Sequence, residues 1–529
     1  MKTVMPQKLS ALIRDHPAAT LGLIGWWITL LILPFPPSYS VSDSISRIRE
    51  AHWVWSGENP GGILPGQEGV RHHWFGLGQI FLFIGPDWLI SNLGPELPRF
   101  DLLLVLVFPI INGIVLALGY VVGRDLGLDR RTCVLSVMAW LGTSTLLWHF
   151  QNNQENPQML ALGLACVFGS LRWVRTGSMR WLHLAGAASA WNILIRIPNG
   201  AIALPLLFLP WATCWMSGEI TLKTRWREHA RLVGMPFLVG APWFMGAIIL
   251  DRLWHHHRFG TWTGTYMDEY QRWAATHFTG VPDGFPFSTP FLEGMAGFLF
   301  NPSKSIFLYE PWVGVGVIVL LTLWKRIPPA TRALMALMIG SLIITMVGLA
   351  RFSYCDSEPS WGHRFLATPA HLLQLPVLGL VLAGCNSVML RRWLMGVCGV
   401  LLLISVSSLW YPAYHEMLVH RKLGTEATRR PGSEHQPGLM IPVASDDFRL
   451  VRRPMEVVRD LGMQWSNPEL WAAGSPPLRL LIPVKPFRNT NPGVAWVLRV
   501  GWWSGFALVM VLVRVSLQSR EDRSPCRQS

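Results

Sequence analysis

Charge is what this sequence has least of. Asp, Glu, Lys and Arg make up 14% of its 529 residues, against roughly 25% in an ordinary soluble domain. Apolar residues make up 51%, and the mean hydropathy is +0.32. That deficit excludes a string of water-soluble domains and points to a polytopic membrane protein. The seven cysteines show no CxxC and no His/Cys spacing of a metal site, which argues against a disulfide framework. Cys133, Cys166, Cys214 and Cys398 fall inside apolar runs, where a thiol acts as a small buried hydrophobe. There is no visible internal repeat and none of the inverted symmetry of many transporters. Lys2, Lys8 and Arg14 precede the first apolar run as in a signal peptide. No small-residue cleavage site follows, so the segment reads as a retained signal anchor.

What the chain does have is a series of long apolar stretches. Helices are expected near 17–36, 101–122, 132–149, 158–173, 181–197, 199–216, 233–251, 306–324, 333–350, 364–385, 393–411 and 494–514. Each is close to the roughly 20 residues that cross a bilayer, giving about 12 spans in an all-α protein. Residues 1–411 then form a membrane domain with outer loops at 37–100, 252–305 and 351–363. Residues 412–492 form a small extracytoplasmic lobe, and 493–529 a last span and tail. Tryptophan is abundant, at 28 residues, as expected for interfacial belts or a lined groove.

With both termini inside, the inner segments hold 22 of the 45 Lys+Arg but only 7 of the 31 Asp+Glu. This is the positive-inside pattern. The basic pI of about 9.9 therefore reports topology, and no nucleic-acid partner is needed to explain it. Inner loops are short and outer loops are long, so the working face is expected to be the outer one.

Ionisable residues near membrane depth are costly, so each needs a reason. Arg196 lies in "NILIRIPNG", where Pro198 suggests a broken helix end. It reads as an anion contact or as an arginine reaching for an interface. Lys304, flanked by Ser303 and Ser305 in "GFLFNPSKSIFLYEP", reads as a phosphate contact or an ordinary interfacial lysine. Trp361, Gly362, His363 and Arg364 stand where a helix enters the membrane. They suit either a phosphate, through the planar fork of Arg364, or an aromatic and cationic belt. The segment 71–90, "RHHWFGLGQIFLFIGPDWLI", is too short to span and fits the outer interface. His72, His73 and His255–His257 lack a carboxylate partner at fixed spacing, so they are weak metal candidates. Asp43, in "SVSDSIS" after the first run, reads on spacing as a helix N-cap.

The order of several motifs carries a resemblance. Asp43 is followed by "FGLGQIFLFIGP", which holds Gln79, and by "GRDLGLDRRTCVLSVMAWLGTSTLLW". "NQENP" then supplies Glu155, followed by "RIPNGAIALPLL", "FLFNPSKSIFLYEP" with Tyr309, and "SWGHRFLATPAHLL". Over about residues 17–385 the chain resembles the bacterial branch of the GT-C type membrane glycosyltransferases. Protein O-mannosyltransferases and the aminoarabinose transferase of lipid A belong to that group. The resemblance implies an inverting enzyme of the bacterial inner membrane, working among membrane lipids. It would move a hexose or pentose from a polyprenyl-phosphate carrier to a hydroxyl of a lipid, glycan or protein on the outer face. It also implies Asp43 as general base and Lys304, Arg364 and Arg196 as phosphate ligands. Glu155, Gln79, Tyr309, Trp361 and His363 would line the substrate groove. No metal ligand is assigned, and a divalent cation stays open as a cofactor.

The chain departs from the pattern at several points. Ser44 follows Asp43 where several relatives carry a second acid. Lys304 stands for an arginine, Ser305 for a glycine and His363 for a proline. These differences leave the donor sugar and the acceptor open. Two other readings compete: a transporter or flippase for lipid-linked sugars, and a ligase or polymerase using them.

Overall fold

A computed structural model describes residues 15–32, 42–73, 75–94, 99–152, 154–221, 224, 226–277, 284–301, 305–352, 363–384 and 387–409, with single positions at 500, 504, 507 and 511. Helix α1 covers Pro17–Ile32 and α2 Ser42–Ser56. A short antiparallel pair follows, β1 (Leu64–Pro65) and β2 (Arg71–His72), with Leu64 opposite His72. Next come α3 (Leu77–Leu93), α4 (Arg99–Asp125), α5 (Arg130–Thr143), α6 (Leu146–Gln151), α7 (Asn156–Thr176) and α8 (Met179–Ile195). They lead to α9 (Gly200–Leu207), α10 (Leu209–Ser217), α11 (Trp226–Phe259), α12 (Tyr266–His277) and α13 (Phe291–Phe300). The last described elements are α14 (Ile306–Tyr309), α15 (Pro311–Leu323), α16 (Pro329–Leu349), α17 (Ala367–Gly384) and α18 (Val388–Ser408).

The chain is an α-helical membrane protein. Among the described residues, seven helical stretches are long and apolar enough to cross a bilayer. They are Leu102–Asp125, Asn156–Thr176, Ile197–Ser217, Trp226–Phe259, Pro329–Leu349, Ala367–Gly384 and Val388–Ser408. Three of the stretches expected to be continuous are interrupted. The run 132–149 breaks at Ser144, whose backbone is extended at φ −129°, ψ 178°. The run 199–216 changes helix at Phe208, between Pro205 and Pro210. The run 306–324 breaks at Glu310, ahead of Pro311. Proline lacks the N–H that a continuous helix needs, so breaks collect there. The expected lobe at 412–492 lies outside the described residues, as does nearly all of the span expected at 494–514.

Close packing follows small residues, as is usual between apolar helices. A Cβ on Gly25 of α1 would stand 2.9 Å from the Asn112 carbonyl oxygen of α4, so only glycine lets the two helices approach this closely. Asn112 then reaches across, donating from Nδ2 to Thr29 Oγ1 at 3.0 Å. The main core gathers Trp140, Leu164, Leu334, Leu372 and Leu373. A second core joins Ile48 and Ala51 of α2 to Phe83 of α3 and Leu104 and Phe108 of α4. Tryptophan divides between roles. Trp140 and Trp148 are fully buried, whereas Trp88, Trp226, Trp262 and Trp393 are exposed. Cys133, Cys166 and Cys214 are buried free thiols.

Helix α7 sets the scale of the bundle. Its 21 residues separate its ends by roughly 30 Å. At the far end Asp125 pairs with Arg172 at 3.0 Å and Arg175 at 2.8 Å. Glu155 stands at the N-cap of the other end.

Candidate active site

Helix α2 is held along its length by buried polar contacts. Glu50 accepts from the His73 backbone N–H at 2.6 Å and pairs with His72 Nδ1 at 3.1 Å. Arg258 of α11 lies 3.9 Å away. Burial pushes the Glu50 carboxyl up, but the His72 hydrogen bond, Arg258 and the His73 N–H together hold it below its ordinary value. Two turns of contact follow on the other side. Asp87 of α3 accepts from Trp55 Nε1 at 2.9 Å, lies 2.8 Å from His52 Nδ1 and pairs with Arg99 at 3.3 Å. The helix is therefore packed against both α3 and α11.

This anchoring fixes the first turn of α2, where Asp43 stands inside the helix. Its Oδ2 accepts from Arg364 Nη1 at 2.9 Å. One helical turn on, at i+4 and so on the same face, Arg47 reaches Glu155 Oε2 at 2.8 Å. Its guanidinium lies 4.1 Å above the Phe75 ring. Arg196 pairs with the other oxygen of Glu155. Arg196 and Arg364 flank the Phe365 ring at 4.9 and 5.3 Å. Asn156 Nδ2 donates to the Arg364 carbonyl at 2.6 Å, which ties the turn before α17 to the start of α7.

Three guanidiniums thus meet two carboxylates, leaving one positive charge in excess among the described residues. Glu155 is fully buried. Burial pushes its carboxyl up, but Arg196, then Arg47 and Arg364, outweigh this and hold it well below the usual carboxylate range. The N-terminal end of α7, with its unpaired N–H groups, adds to the same effect. Asp43, Arg364 and Arg196 are each 19% exposed, so solvent reaches these three side chains, whereas Arg47 and Glu155 are sealed.

Local sequence explains the placement of Arg196. It is the C-cap of α8, with extended backbone at φ −152°, ψ 126°, and a 3-10 turn over Ile197–Asn199 follows. The glycines of "FGLGQ" pack against this break. A Cβ on Gly76 would lie 2.6 Å from the Ile195 carbonyl oxygen, and one on Gly78 would lie 2.6 Å from the Ile195 nitrogen. The carbonyl of Gly78 accepts from Trp191 Nε1 at 2.7 Å and Gln158 Nε2 at 3.2 Å. The motif therefore sets where α3, α7 and α8 meet.

A second buried polar group lies nearby. Glu310 accepts from Gln374 Nε2 at 2.6 Å, from the Thr145 hydroxyl, and lies 3.0 Å from His371 Nε2. Tyr309 packs on Trp148. The His149 ring stands 5.8 Å from that of His371.

The cluster brings together Asp43, Arg364, Arg196 and Glu155 of the residues expected from sequence. Glu155 is a sealed hub rather than an open lining. Gln79 is buried at the start of α3, the His363 ring lies tilted 4.7 Å from that of Phe298, and Tyr309 sits at the Trp148 contact. Lys304 and Trp361 lie outside the described residues. Arg47 and Glu310 were not anticipated. The i, i+4 spacing of Asp43 and Arg47 was readable in the sequence. Glu310, a lone acid before an apolar run in "LYEP", was a second available signal.

Among the described residues, the side chains of this cluster do not fit a divalent cation. Both oxygens of Glu155 face arginines and Asp43 faces another, so a cation would enter beside three guanidiniums. His72, His255, His256 and His257 disperse onto Glu50, Tyr266, Trp262 and Trp53 respectively. Among the described residues no group of three His, Cys, Asp or Glu side chains is placed to hold a metal.

No family model matches the chain, and no curated protein matches it significantly. Solved structures with a similar course include the archaeal oligosaccharyltransferase AglB from Archaeoglobus fulgidus, in complex with an inhibitory peptide and a dolichol-phosphate. Its TM-score is 0.44 at 12% identity over 79% of this chain. ArnT from Cupriavidus metallidurans, bound to undecaprenyl phosphate, gives a TM-score of 0.42 at 15% identity over 97% of this chain and 78% of its own. The chain spans 58% of the length of the archaeal enzyme. With identities this low, function has to be read from the side chains of the site itself.

Proposed function

We propose that the protein is an inverting glycosyltransferase that moves a sugar from a polyprenyl-phosphate carrier to an acceptor hydroxyl on the outer face of the bacterial inner membrane. The observation that carries this reading is the Asp43–Arg364 pair. A half-buried carboxylate and guanidinium stand 2.9 Å apart, beside a cluster with one guanidinium in excess. That surplus suits the single negative charge of a sugar phosphodiester.

The chemistry follows from the charges. The donor phosphate takes Arg364, with Lys304 and Arg196 as further ligands, and in doing so releases Asp43 from its ion pair. Asp43 then accepts the proton of the acceptor hydroxyl. The acceptor oxygen forms a bond to the anomeric carbon from the face opposite the phosphate. The bond from that carbon to the phosphate oxygen breaks, and its electron pair leaves with the carrier. The phosphate passes from one negative charge toward two. Arg364 therefore binds the transition state more strongly than the donor, which is the condition for acceleration. A single direct displacement inverts the anomeric carbon.

In this reading the chain crosses the membrane about 12 times, with both termini cytoplasmic. The skew of Lys and Arg toward the inner segments supports that orientation. The lobe at 412–492 lies outside and offers a surface for the acceptor. The test incubates membranes holding the full chain with radiolabelled polyprenyl-phosphate sugars. Label should move to an acceptor with wild type and stay on the carrier with Asp43→Asn. Equal turnover by wild type and Asp43→Asn would remove the base assignment.

A further inference from the structure

The Asp43–Arg364 contact sets the proposed base against a proposed ligand of the donor phosphate. Neither side can step away by moving its backbone. Arg47 and Glu50 fix α2 four and seven residues beyond Asp43. The Arg364 carbonyl accepts from Asn156 Nδ2 at 2.6 Å, and the Leu366 N–H closes a turn onto the His363 carbonyl at 3.1 Å. What can change is the pairing of the two side chains, each 19% exposed.

Among the described residues, no neighbouring cation can stand in for Arg364. Arg47 is 2% exposed and lies on Glu155. Arg196 is 19% exposed but closes on the same carboxylate. Drawing it away would leave a fully buried acid one partner short. Of the three guanidiniums, Arg364 is the one whose acid water reaches. An incoming phosphate must therefore displace Asp43. Both are anions seeking the same N–H donors, so they exclude each other on Arg364. Once displaced, Asp43 stands beside a phosphate of like charge, which opposes holding both.

We infer that Asp43 is a built-in competitor of the donor phosphate, and that the ion pair holds the empty site shut until the donor arrives. The inference rests on the transferase reading and deepens it. It assigns an order: the donor binds before Asp43 can serve an acceptor hydroxyl. It also assigns a route for product release. On transfer the acceptor oxygen bonds to the anomeric carbon, its proton passes to Asp43, and the bond from that carbon to the phosphate oxygen breaks. Protonated Asp43 does not compete, so the carrier phosphate keeps Arg364. When the proton passes on to water at the exposed side, the carboxylate is restored and reclaims Arg364 from the spent carrier. A base that merely stood nearby would have no such effect. Here, a variant that loses transfer should bind the carrier more tightly.

The test titrates farnesyl phosphate, a short polyprenyl phosphate, onto the purified full chain in lipid nanodiscs and follows tryptophan fluorescence. Farnesol is the control for the chain without its phosphate. Asp43→Asn and Asp43→Ala should each bind farnesyl phosphate about tenfold more tightly than wild type. A factor of several comes from the lost competitor and another from the lost repulsion. Farnesol should bind all three alike. Arg364→Ala should bind farnesyl phosphate more weakly than wild type, and on that background Asp43→Asn should gain no more than about threefold. Unchanged or weakened affinity in both Asp43 variants, with transfer still lost, would overturn the inference and leave the transferase reading standing. An equal gain for farnesol, or the whole gain on the Arg364→Ala background, would also overturn it, since the effect would then not pass through Arg364. Farnesyl phosphate bound no better than farnesol by wild type and every variant would overturn the transferase reading and the inference together.

Discussion

Two carboxylate–guanidinium pairs stand side by side in this molecule and differ in one respect. Glu155 and Arg47 are 2.8 Å apart, and Asp43 and Arg364 are 2.9 Å apart. The first pair is 0% and 2% exposed, the second 19% on both sides. A sealed pair cannot exchange its partner for a ligand without stranding a charge in a medium that does not solvate it. A half-open pair can, because water and ligand compete for the same atoms. The same chemistry therefore serves architecture in one place and reactivity in the other. Glu155 ties α2, α7 and α8 together so that Asp43 and Arg364 meet.

The comparison can be broken by substitutions that should separate rate from stability. The largest effect on rate is expected from Asp43→Asn, a loss of roughly 10²–10⁴ in transfer. Its thermal stability should stay within about 1 kcal/mol of wild type, as for other partly exposed pairs. Glu155→Gln should behave in the opposite way. It leaves Arg47 and Arg196 without a counter-charge and should cost about 3–5 kcal/mol, read from tryptophan fluorescence on heating. An Asp43→Asn protein that unfolds, beside a Glu155→Gln protein that stays as stable as wild type, would reverse the assignment of roles.

Arg364→Ala should lower kcat/KM for the donor by roughly 10- to 100-fold through loss of a hydrogen bond to a charged group. Arg364→Lys should recover part of that, since the charge is kept and the planar fork is lost.

A pH effect sharpens the sealed side of the comparison. Glu155 is held below its ordinary value of 4.5, so the unfolded chain takes up its proton first as pH falls. The stability it contributes is complete above that value and drains away as pH drops below it toward the folded value. Thermal midpoints measured from pH 6 downward should fall less steeply in Glu155→Gln than in wild type. The smallest effect belongs to the far end of α7. Arg175 is 49% exposed on Asp125, and Arg175→Ala should leave transfer within about twofold and stability within about 1 kcal/mol.

Much of this arrangement was legible in the order of residues. Apolar runs located the helices because a bilayer demands about 20 uncharged residues in a row. Pro198 marked the break at Arg196, since proline cannot continue the helix. The glycines of "FGLGQ" marked a close approach without saying to what, and the answer is the carbonyl and nitrogen of Ile195. Asp43 read on spacing as an N-cap, but the structure puts it inside the first turn of α2 with Arg364 as its partner, and an N-cap residue stands outside the helix. Arg47, four residues past Asp43 in "SVSDSISR", carries no local sign of its partner, because Glu155 lies far along the chain.

The sequence by itself determined the solvent of this protein, where its apolar helices run and the proline-marked breaks such as the one at Arg196. Those properties depend on local transfer energies and on whether each residue supplies a backbone N–H. Tertiary structure alone decided which acid meets which arginine. Asp43 and Arg364 are 321 residues apart in the chain, and no local rule acts over that distance. The packing that brings them together also sets their exposure, which makes one ion pair a strut and its neighbour a candidate catalyst.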